Sequence, residues 1–254
     1  MEYRYASTIE EACRLLERGF MLIAGGTEIN LKHRAERLVD INGLGLDYVE
    51  DRGDRIAIGS TARIAQIEAS ELLEEDKALK MAAMRFTPSI KHLATIGGNI
   101  AESIPSADTA PPLLVFDAEA VISSSNGERV VSVESMFKGL RKNSLKRGEM
   151  IKEFLLPHFE GRSIFRKVGR TDDDLTVTSM AISISRDTKI ALGSAAEVPM
   201  RARKAEEALG YGMERACSAL LSETKPRSSI RASIEYRKKL EIELLKGCLR
   251  EVNA

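Results

Sequence analysis

Two glycine pairs, Gly25-Gly26 and Gly97-Gly98, constrain this chain more than any other feature of its sequence. They sit in Ala24-Gly25-Gly26-Thr27-Glu28 and in Ala94-Thr95-Ile96-Gly97-Gly98-Asn99-Ile100, each with an apolar lead-in and a polar side chain directly after the pair. Glycine lets the backbone bend where a side chain would collide, and such a bend presents successive N–H groups as an anion-binding nest. One bend of this kind is ordinarily a tight link between a strand and a helix. Two of the same chemistry predict a shared ligand, one pyrophosphate gripped from both sides.

The pattern around them builds mixed α and β structure. Tyr3 to Tyr5 reads as a short strand, and Ser7 with Glu10 as a capping box for a helix that runs to about Arg18 and stops at Gly19. Ile9, Ala12, Cys13 and Leu16 share one face of that helix, which places Cys13 in the core. Phe20 to Ala24 is an apolar run of strand length and predicts a strand covered on both faces. Ile29, Leu31 and Arg34 to Ala35 predict a short helix after the first bend, with an N-terminus that favours an anion. A carboxylate beside a phosphate repels it, so in the favoured reading Glu28 turns away to cap that helix; in the other it accepts from a ribose hydroxyl. Leu38 to Ile41 and Arg55 to Gly59 add strands to a small βαβ unit.

Further along, Thr61 is placed as a helix cap, Glu71 to Met84 as helix and Phe86 to Leu93 as a surface segment beside the ligand cleft. His92 has no nucleophile or carboxylate motif around it and reads as a surface or packing residue. Asp108 falls at a helix start, where an N-cap role competes with a ligand contact. Asn126-Gly127 marks a hairpin at a sheet edge, and Ile151 to Leu156 a strand ended by Pro157. A composition shift from Pro157 to Gly161 marks a domain boundary. Beyond it, Ile164 to Val168, Val177 to Ser185 and Lys189 to Ala195 form a meander of three strands, followed by helices. The last helix, Ile230 to about Leu249, places Tyr236, Leu240, Leu244, Leu245 and Cys248 on its apolar stripe. Arg237, Lys238, Lys239, Glu241 and Glu243 fall on a solvated face.

Ala-Gly-Gly-Thr-Glu-Ile and Thr-Ile-Gly-Gly-Asn-Ile, followed by Pro105-Ser106-Ala107-Asp108, resemble the FAD-binding flavoprotein subunit of the molybdenum hydroxylases, the xanthine dehydrogenase and aerobic carbon monoxide dehydrogenase group. Arg170 to Thr176, Pro199 to Arg203 and Tyr236-Arg237 resemble the C-terminal domain of the same flavoproteins, so the resemblance runs nearly end to end. It implies an α+β chain. A two-part FAD-binding domain of the PCMH type would occupy residues 1–158, in subdomains of about 1–54 and 55–158. A smaller α+β domain, a three-stranded antiparallel sheet with helices, would occupy 159–254.

The resemblance also implies a non-covalent FAD. Its contacts would be Ile23, Ala24, Gly25, Gly26, Thr27, Glu28 and Ile29 from the first bend, and Thr95, Gly97, Gly98 and Asn99 from the second. Ser103 and Asp108 would follow as polar anchors, Ile151 as an apolar contact, Arg166 or Lys167 as a basic one, and Leu175 as an aliphatic cover for the isoalloxazine. Activity would be that of an FAD-dependent oxidoreductase subunit in the cytoplasm. It would take electrons from an iron–sulfur small subunit and pass them to a soluble acceptor, beside a molybdopterin-binding large subunit. Molybdopterin and iron–sulfur clusters are expected only in those partners, and no residue of this chain is expected to be catalytic or to bind metal.

Other chemistries lack their residues. There is no Gly-x-Ser-x-Gly elbow and no Gly-x-x-x-x-Gly-Lys loop, and Gly43-Leu44-Gly45 has Tyr48 where a dinucleotide fingerprint needs glycine. Thirty-eight basic residues balance 38 acidic ones and Trp is absent, which disfavours nucleic acid and an anionic membrane as partners. Cys13, Cys217 and Cys248 are too scattered for a metal site or a redox dithiol, and no apolar run is long enough to span a bilayer. The N-terminus lacks the pattern of a secretion signal. Two rival readings stay open. One is a free-standing flavin oxidoreductase, whose covalent variety needs a histidine near the first bend; none stands between Met1 and Asn30. The other is a non-catalytic module in which the bends are only turns.

Overall fold

The computed structural model describes residues 1–29, 36–73, 77–171 and 174–253. Its first lobe contains β1 (Glu2–Tyr5), α1 (Ile9–Glu17), β2 (Met21–Ile23) and β3 (Arg37–Asp40), with the strands in a parallel sheet ordered β1-β3-β2. The cap of α1 lies one residue later than predicted. Thr8 Oγ1 accepts from the Glu11 N–H at 3.1 Å, and the Glu11 carboxylate accepts from the Ser7 N–H at 2.8 Å. Thr8-x-x-Glu11 offers the same chemistry as Ser7-x-x-Glu10, so the sequence alone does not choose between them. Ala12 and Cys13 are fully buried, as the helical pattern predicts.

β2 departs from expectation. It is a short strand at the edge of a small sheet, and Met21 is 46% exposed, so protein does not cover both of its faces. The second apolar face is explained by the cavity described below, whose wall includes Met21 and Leu22. The helix expected after Thr27 lies outside the described residues.

The second lobe is a five-stranded antiparallel sheet ordered β4-β5-β10-β6-β7, from β4 (Val49–Asp51), β5 (Arg55–Gly59), β6 (Glu119–Ser124), β7 (Gly127–Ser132) and β10 (Met150–Pro157). The predicted third strand of the βαβ unit, Arg55 to Gly59, therefore belongs to this sheet. Between β5 and β6 run α2 (Ile64–Ala69), α3 (Lys77–Met84), α4 (Pro88–Lys91), α5 (Ile96–Ala101) and α6 (Ala110–Val115). After β7 come α7 (Val133–Met136) and a small ribbon of β8 (Phe137–Gly139) and β9 (Lys142–Asn143).

Several local expectations are corrected here. Thr61 is buried rather than capping, since α2 starts after Arg63. A 3-10 turn at Glu71–Leu73 precedes α3, in place of one helix from Glu71. Phe86 to Leu93, placed as a surface segment, holds a short helix, because Pro88, with its fixed φ and no N–H to satisfy, opens α4. In the hairpin Ser124 pairs with Gly127, which puts Ser125 and Asn126 at the turn; of these three only Gly127 has a positive φ, +124°. That register keeps Ala120 and Ile122 buried.

The C-terminal part is a four-stranded antiparallel meander of β11 (Arg162–Val168), β12 (Thr178–Ile184), β13 (Thr188–Gly193) and β14 (Met200–Arg201), with α8 (Arg203–Ala208), α9 (Met213–Glu223) and α10 (Ile234–Asn253). The fourth strand is two residues long and leaves no periodic trace in the sequence. One face of the sheet packs Met180, Ile182 and Leu192 against Leu220, Leu245 and Cys248. The other puts Phe165, Ala181 and Ala191 into the same core as Ile58, Ile96 and Leu113 of the second lobe. Ser183 Oγ donates to the Val115 carbonyl and the Ala78 N–H to Ser163 Oγ, both at 3.1 Å, so the two parts share a core and its polar ties.

α10 also differs from its predicted faces. Arg237 and Glu241 are buried, while Tyr236 is 51% exposed. The buried stripe runs Arg237, Glu241, Leu245, Cys248 and Val252, so helical spacing was read correctly at its C-terminal end and one face off at its start.

Candidate functional site

A cavity of about 450 Å³ opens where the three parts meet. Its walls are β2 and the loop after it, the start of α5, and Lys167, Asp174 and Leu175 from the C-terminal part. The loop is pressed close to the segment that leads into α5: a Cβ on Gly25 would penetrate the Leu93 carbonyl oxygen, and Gly26 has φ of +70°. Arg63 ties the two lips by donating to the Leu93 carbonyl and, at 2.7 Å, to Asn42 Oδ1; the Asn42 amide donates to the Ala24 carbonyl at 3.0 Å. Among the described residues, no acceptor meets a backbone N–H from Gly25 to Ile29. Gly25 and Ile29 are half-buried and Gly26, Thr27 and Glu28 are exposed, so these amides are donors left for a ligand or water to complete.

The second glycine pair works differently from the first. Gly97 and Gly98 lie in the first turn of α5, capped by Thr95, and their amides are already committed. The Ile96 N–H donates to the Ala62 carbonyl at 3.0 Å, Gly97 to the Ser60 carbonyl at 2.9 Å and Gly98 to Thr95 Oγ1 at 3.1 Å. It is therefore a close-packing device and not an open nest. A Cβ on Gly97 would stand 2.6 Å from the Ser60 carbonyl oxygen. The donor this segment does offer is Asn99: its Oδ1 accepts from the Thr109 hydroxyl at 2.6 Å and the Thr109 N–H at 3.3 Å. Its amide NH2 has no acceptor among the described residues.

At the C-terminal-domain end stands a buried ion pair, Lys167 Nζ to Asp108 at 3.1 Å. Lys167 also donates to the Arg85 carbonyl at 3.3 Å, and Asp108 accepts from the Thr176 hydroxyl at 2.6 Å. Burial pushes the Asp108 carboxyl above its ordinary value, with Lys167 and Thr176 pulling the other way. Asp108 is thus no helix cap; α6 is led by Thr109. Of the two basic candidates Lys167 faces the cavity, whereas Arg166 pairs with Glu251. Leu175 sits on the rim, 52% exposed. Glu28 also reaches the wall and faces Arg141 at 3.7 Å.

The cavity wall brings together every predicted contact except two. Ile23 and Ser103 are not on it. The Ser103 side chain is buried and donates to the Gly139 and Lys142 carbonyls at 3.0 Å, which fixes the β8–β9 ribbon. Phe86, at the head of the segment placed beside the cleft, is on the wall, and sequence reasoning missed Arg85 and Asn143, which are there too. Arg85 adjoins that segment; nothing local marks Asn143.

Free amides for an anion, apolar surface from Leu22, Ile41 and Leu145 on the same wall, and a charged pair at one end define a binding cleft for a large dinucleotide cofactor. Comparison with known proteins narrows the class. Residues 1–159 match the family model described as the FAD binding domain in molybdopterin dehydrogenase, and residues 163–252 that of the CO dehydrogenase flavoprotein C-terminal domain. A xanthine dehydrogenase FAD-binding subunit from Escherichia coli O157:H7 is 32% identical, over 99% of this chain and 96% of its own length. The glyceraldehyde dehydrogenase medium chain of Sulfolobus acidocaldarius is 27% identical, over 98% and 97%. A reconstituted CO dehydrogenase structure from Oligotropha carboxidovorans shares the fold, with a TM-score of 0.94 over 99% of this chain and 97% of that one at 22% identity. The chain belongs to the FAD-binding flavoprotein subunits of the molybdenum hydroxylase family. It is an oxidoreductase subunit, and FAD is its cofactor.

Proposed function

We propose that this chain carries one non-covalent FAD in the cavity between its lobes. In an assembly with an iron–sulfur small subunit and a molybdopterin-binding large subunit, it relays electrons to a soluble acceptor in the cytoplasm. Bound FAD supplies the redox chemistry, accepting electrons from the iron–sulfur partner and yielding them to the acceptor. The observation that carries this reading is the run of unspent amides from Gly25 to Ile29, joined by the Asn99 NH2, donors suited to a pyrophosphate. Thr95, Gly97 and Gly98 serve it by letting α5 approach Ser60 closely enough to aim Asn99 at the cavity. Ile151 and Leu175 supply apolar contact. Lys167 holds negative charge at its end of the cavity, and Asp108 with Thr176 keeps that ammonium in place. The working division of the chain is 1–158 for the cofactor and 159–254 for the wall that completes its site. Among the described residues no helix is long and apolar enough to cross a membrane.

The test is to purify the chain, add FAD, and measure flavin retained through gel filtration and then released by acid. One flavin per chain, fully released, is expected; flavin kept after denaturation would show a covalent link, and none retained would return the chain to the non-catalytic module. Co-expression with the candidate partner subunits, followed by stopped-flow reduction, tests the electron path. A flavin that stays oxidised while the partners' clusters are reduced would refute it.

A further inference from the structure

Arg237, on the first turn of α10, is 6% exposed, and no carboxylate bonds it among the described residues. It donates to the Val177 carbonyl and, at 2.9 Å, to Ser229 Oγ. Glu241, one turn on, acts on it only through space, and a buried guanidinium that no carboxylate bonds is expensive, so its position needs a structural return. The backbone it holds supplies one. Asp174 to Val177 is the last part of the connection between β11 and β12, and it forms the cavity wall at Asp174 and Leu175. A side chain as exposed as Leu175 has little packing of its own to fix it, so its place depends on where the backbone is pinned. Other pins act on it too. The Val177 N–H donates to the Val168 carbonyl at 2.8 Å, the Thr176 hydroxyl to Asp108, the Ser194 hydroxyl to the Thr176 carbonyl at 3.3 Å, the Asp174 N–H to the Thr171 carbonyl at 3.3 Å and the Leu175 N–H to Asp174 Oδ1 at 2.7 Å, and Asp174 takes Arg170 at 2.6 Å and Arg231 at 3.7 Å. Arg237 is the buried one that reaches this stretch from the last helix.

We propose that Arg237 is a positioning residue for the cofactor: by pinning the Val177 carbonyl from inside the C-terminal domain it holds Leu175 and Asp174 as the outer wall of the FAD cavity. This rests on the reading of the cavity as the FAD site. Its fork of donors spans Val177 and Ser229 together, which a lysine ammonium does not do.

The experiment uses the full chain with FAD and the variants Arg237→Lys, Arg237→Met and Leu175→Ala, alone and combined. FAD affinity is read from flavin fluorescence, ring environment from the visible circular dichroism of bound flavin, and folding from urea unfolding of the cofactor-free chain. Arg237→Lys is expected to weaken FAD about tenfold, the size of one lost charge-assisted hydrogen bond, and to alter the dichroism while unfolding stays cooperative. With Leu175→Ala already present, the same change should cost less than about twofold, because both act through one wall. Wild-type affinity and dichroism in Arg237→Lys would overturn the proposal, as would effects of the two substitutions that multiply fully. Should Arg237→Met fail to fold, Arg237→Lys carries the test. A wild-type chain that never takes up FAD would overturn the reading of the cavity itself, an outcome distinct from failure of the Arg237 role.

Discussion

Replacing Lys167 by Met leaves Asp108 buried with the Thr176 hydroxyl as its bonded partner and the Arg85 charge acting at longer range, and the size of the damage follows from proton chemistry. A carboxylate stripped of its cation in the interior is destabilising by about 3–5 kcal/mol. The molecule has an escape, which is to protonate Asp108. From the ordinary value of 3.8, that costs 1.36 kcal/mol per unit times the distance to the working pH, about 4.4 kcal/mol at pH 7 and about 2.3 kcal/mol at pH 5.5. These are ceilings on the Asp108 contribution, and loss of the bond to the Arg85 carbonyl adds about 1 kcal/mol at either pH. The sign follows directly. In the variant the folded-state carboxyl titrates above its unfolded value, so the folded state binds the proton more tightly and stability falls as pH rises from 3.8 toward the folded pKa. Urea unfolding of the cofactor-free chain should therefore show a deficit larger at pH 7 than at pH 5.5, by at most about 2 kcal/mol, since the raised Asp108 carboxyl gives the wild type part of the same slope. Adding Asp108→Asn should recover most of the pH-dependent part. Equal deficits at the two pH values, or no recovery in the double variant, would refute the buried-charge reasoning.

Gly25→Ala drives a Cβ into the Leu93 carbonyl and displaces the loop amides, so FAD affinity by fluorescence titration should fall at least about tenfold; unchanged affinity would mean those amides do not hold the ligand. Ser103→Ala should destabilise the chain by about 1–2 kcal/mol in urea while flavin content by absorbance stays at wild-type level, and a loss of flavin would return that hydroxyl to the site. Glu241→Gln tests a second buried carboxyl. Burial pushes Glu241 to about 7 from its ordinary 4.5, so its proton stabilises the fold below 4.5 and that contribution is lost as pH rises through 7. The variant should match wild type near pH 4.5 and exceed it by up to roughly 3 kcal/mol at pH 8, by thermal or urea unfolding; a variant less stable at pH 8 would contradict this.

What the sequence made legible, and what it did not, divides along a physical line. Local pattern states which atoms a stretch of chain can present; it does not state which of them distant residues have already taken. Gly25-Gly26 and Gly97-Gly98 look alike because both combine the same local features. They part company only in space, where Ser60 and Ala62 take the amides of the second pair and nothing described takes those of the first. Phe20 to Ala24 was read as a strand walled in by protein because an apolar run is blind to what covers it; the cleft covers one side. Arg237 and Glu241 follow the same logic on a helix, where the buried stripe continues past its apolar residues into polar ones whose partners, Val177 and Thr224, lie on other elements. The anion-gripping capacity of this site accordingly rests on Gly25 to Ile29 and Asn99, with Gly97-Gly98 acting one step back through close approach to Ser60. Substitution at Gly97 should therefore perturb folding and flavin retention together, whereas Gly25→Ala should act chiefly on retention, a difference that two Gly-Gly motifs compared as strings of letters do not contain.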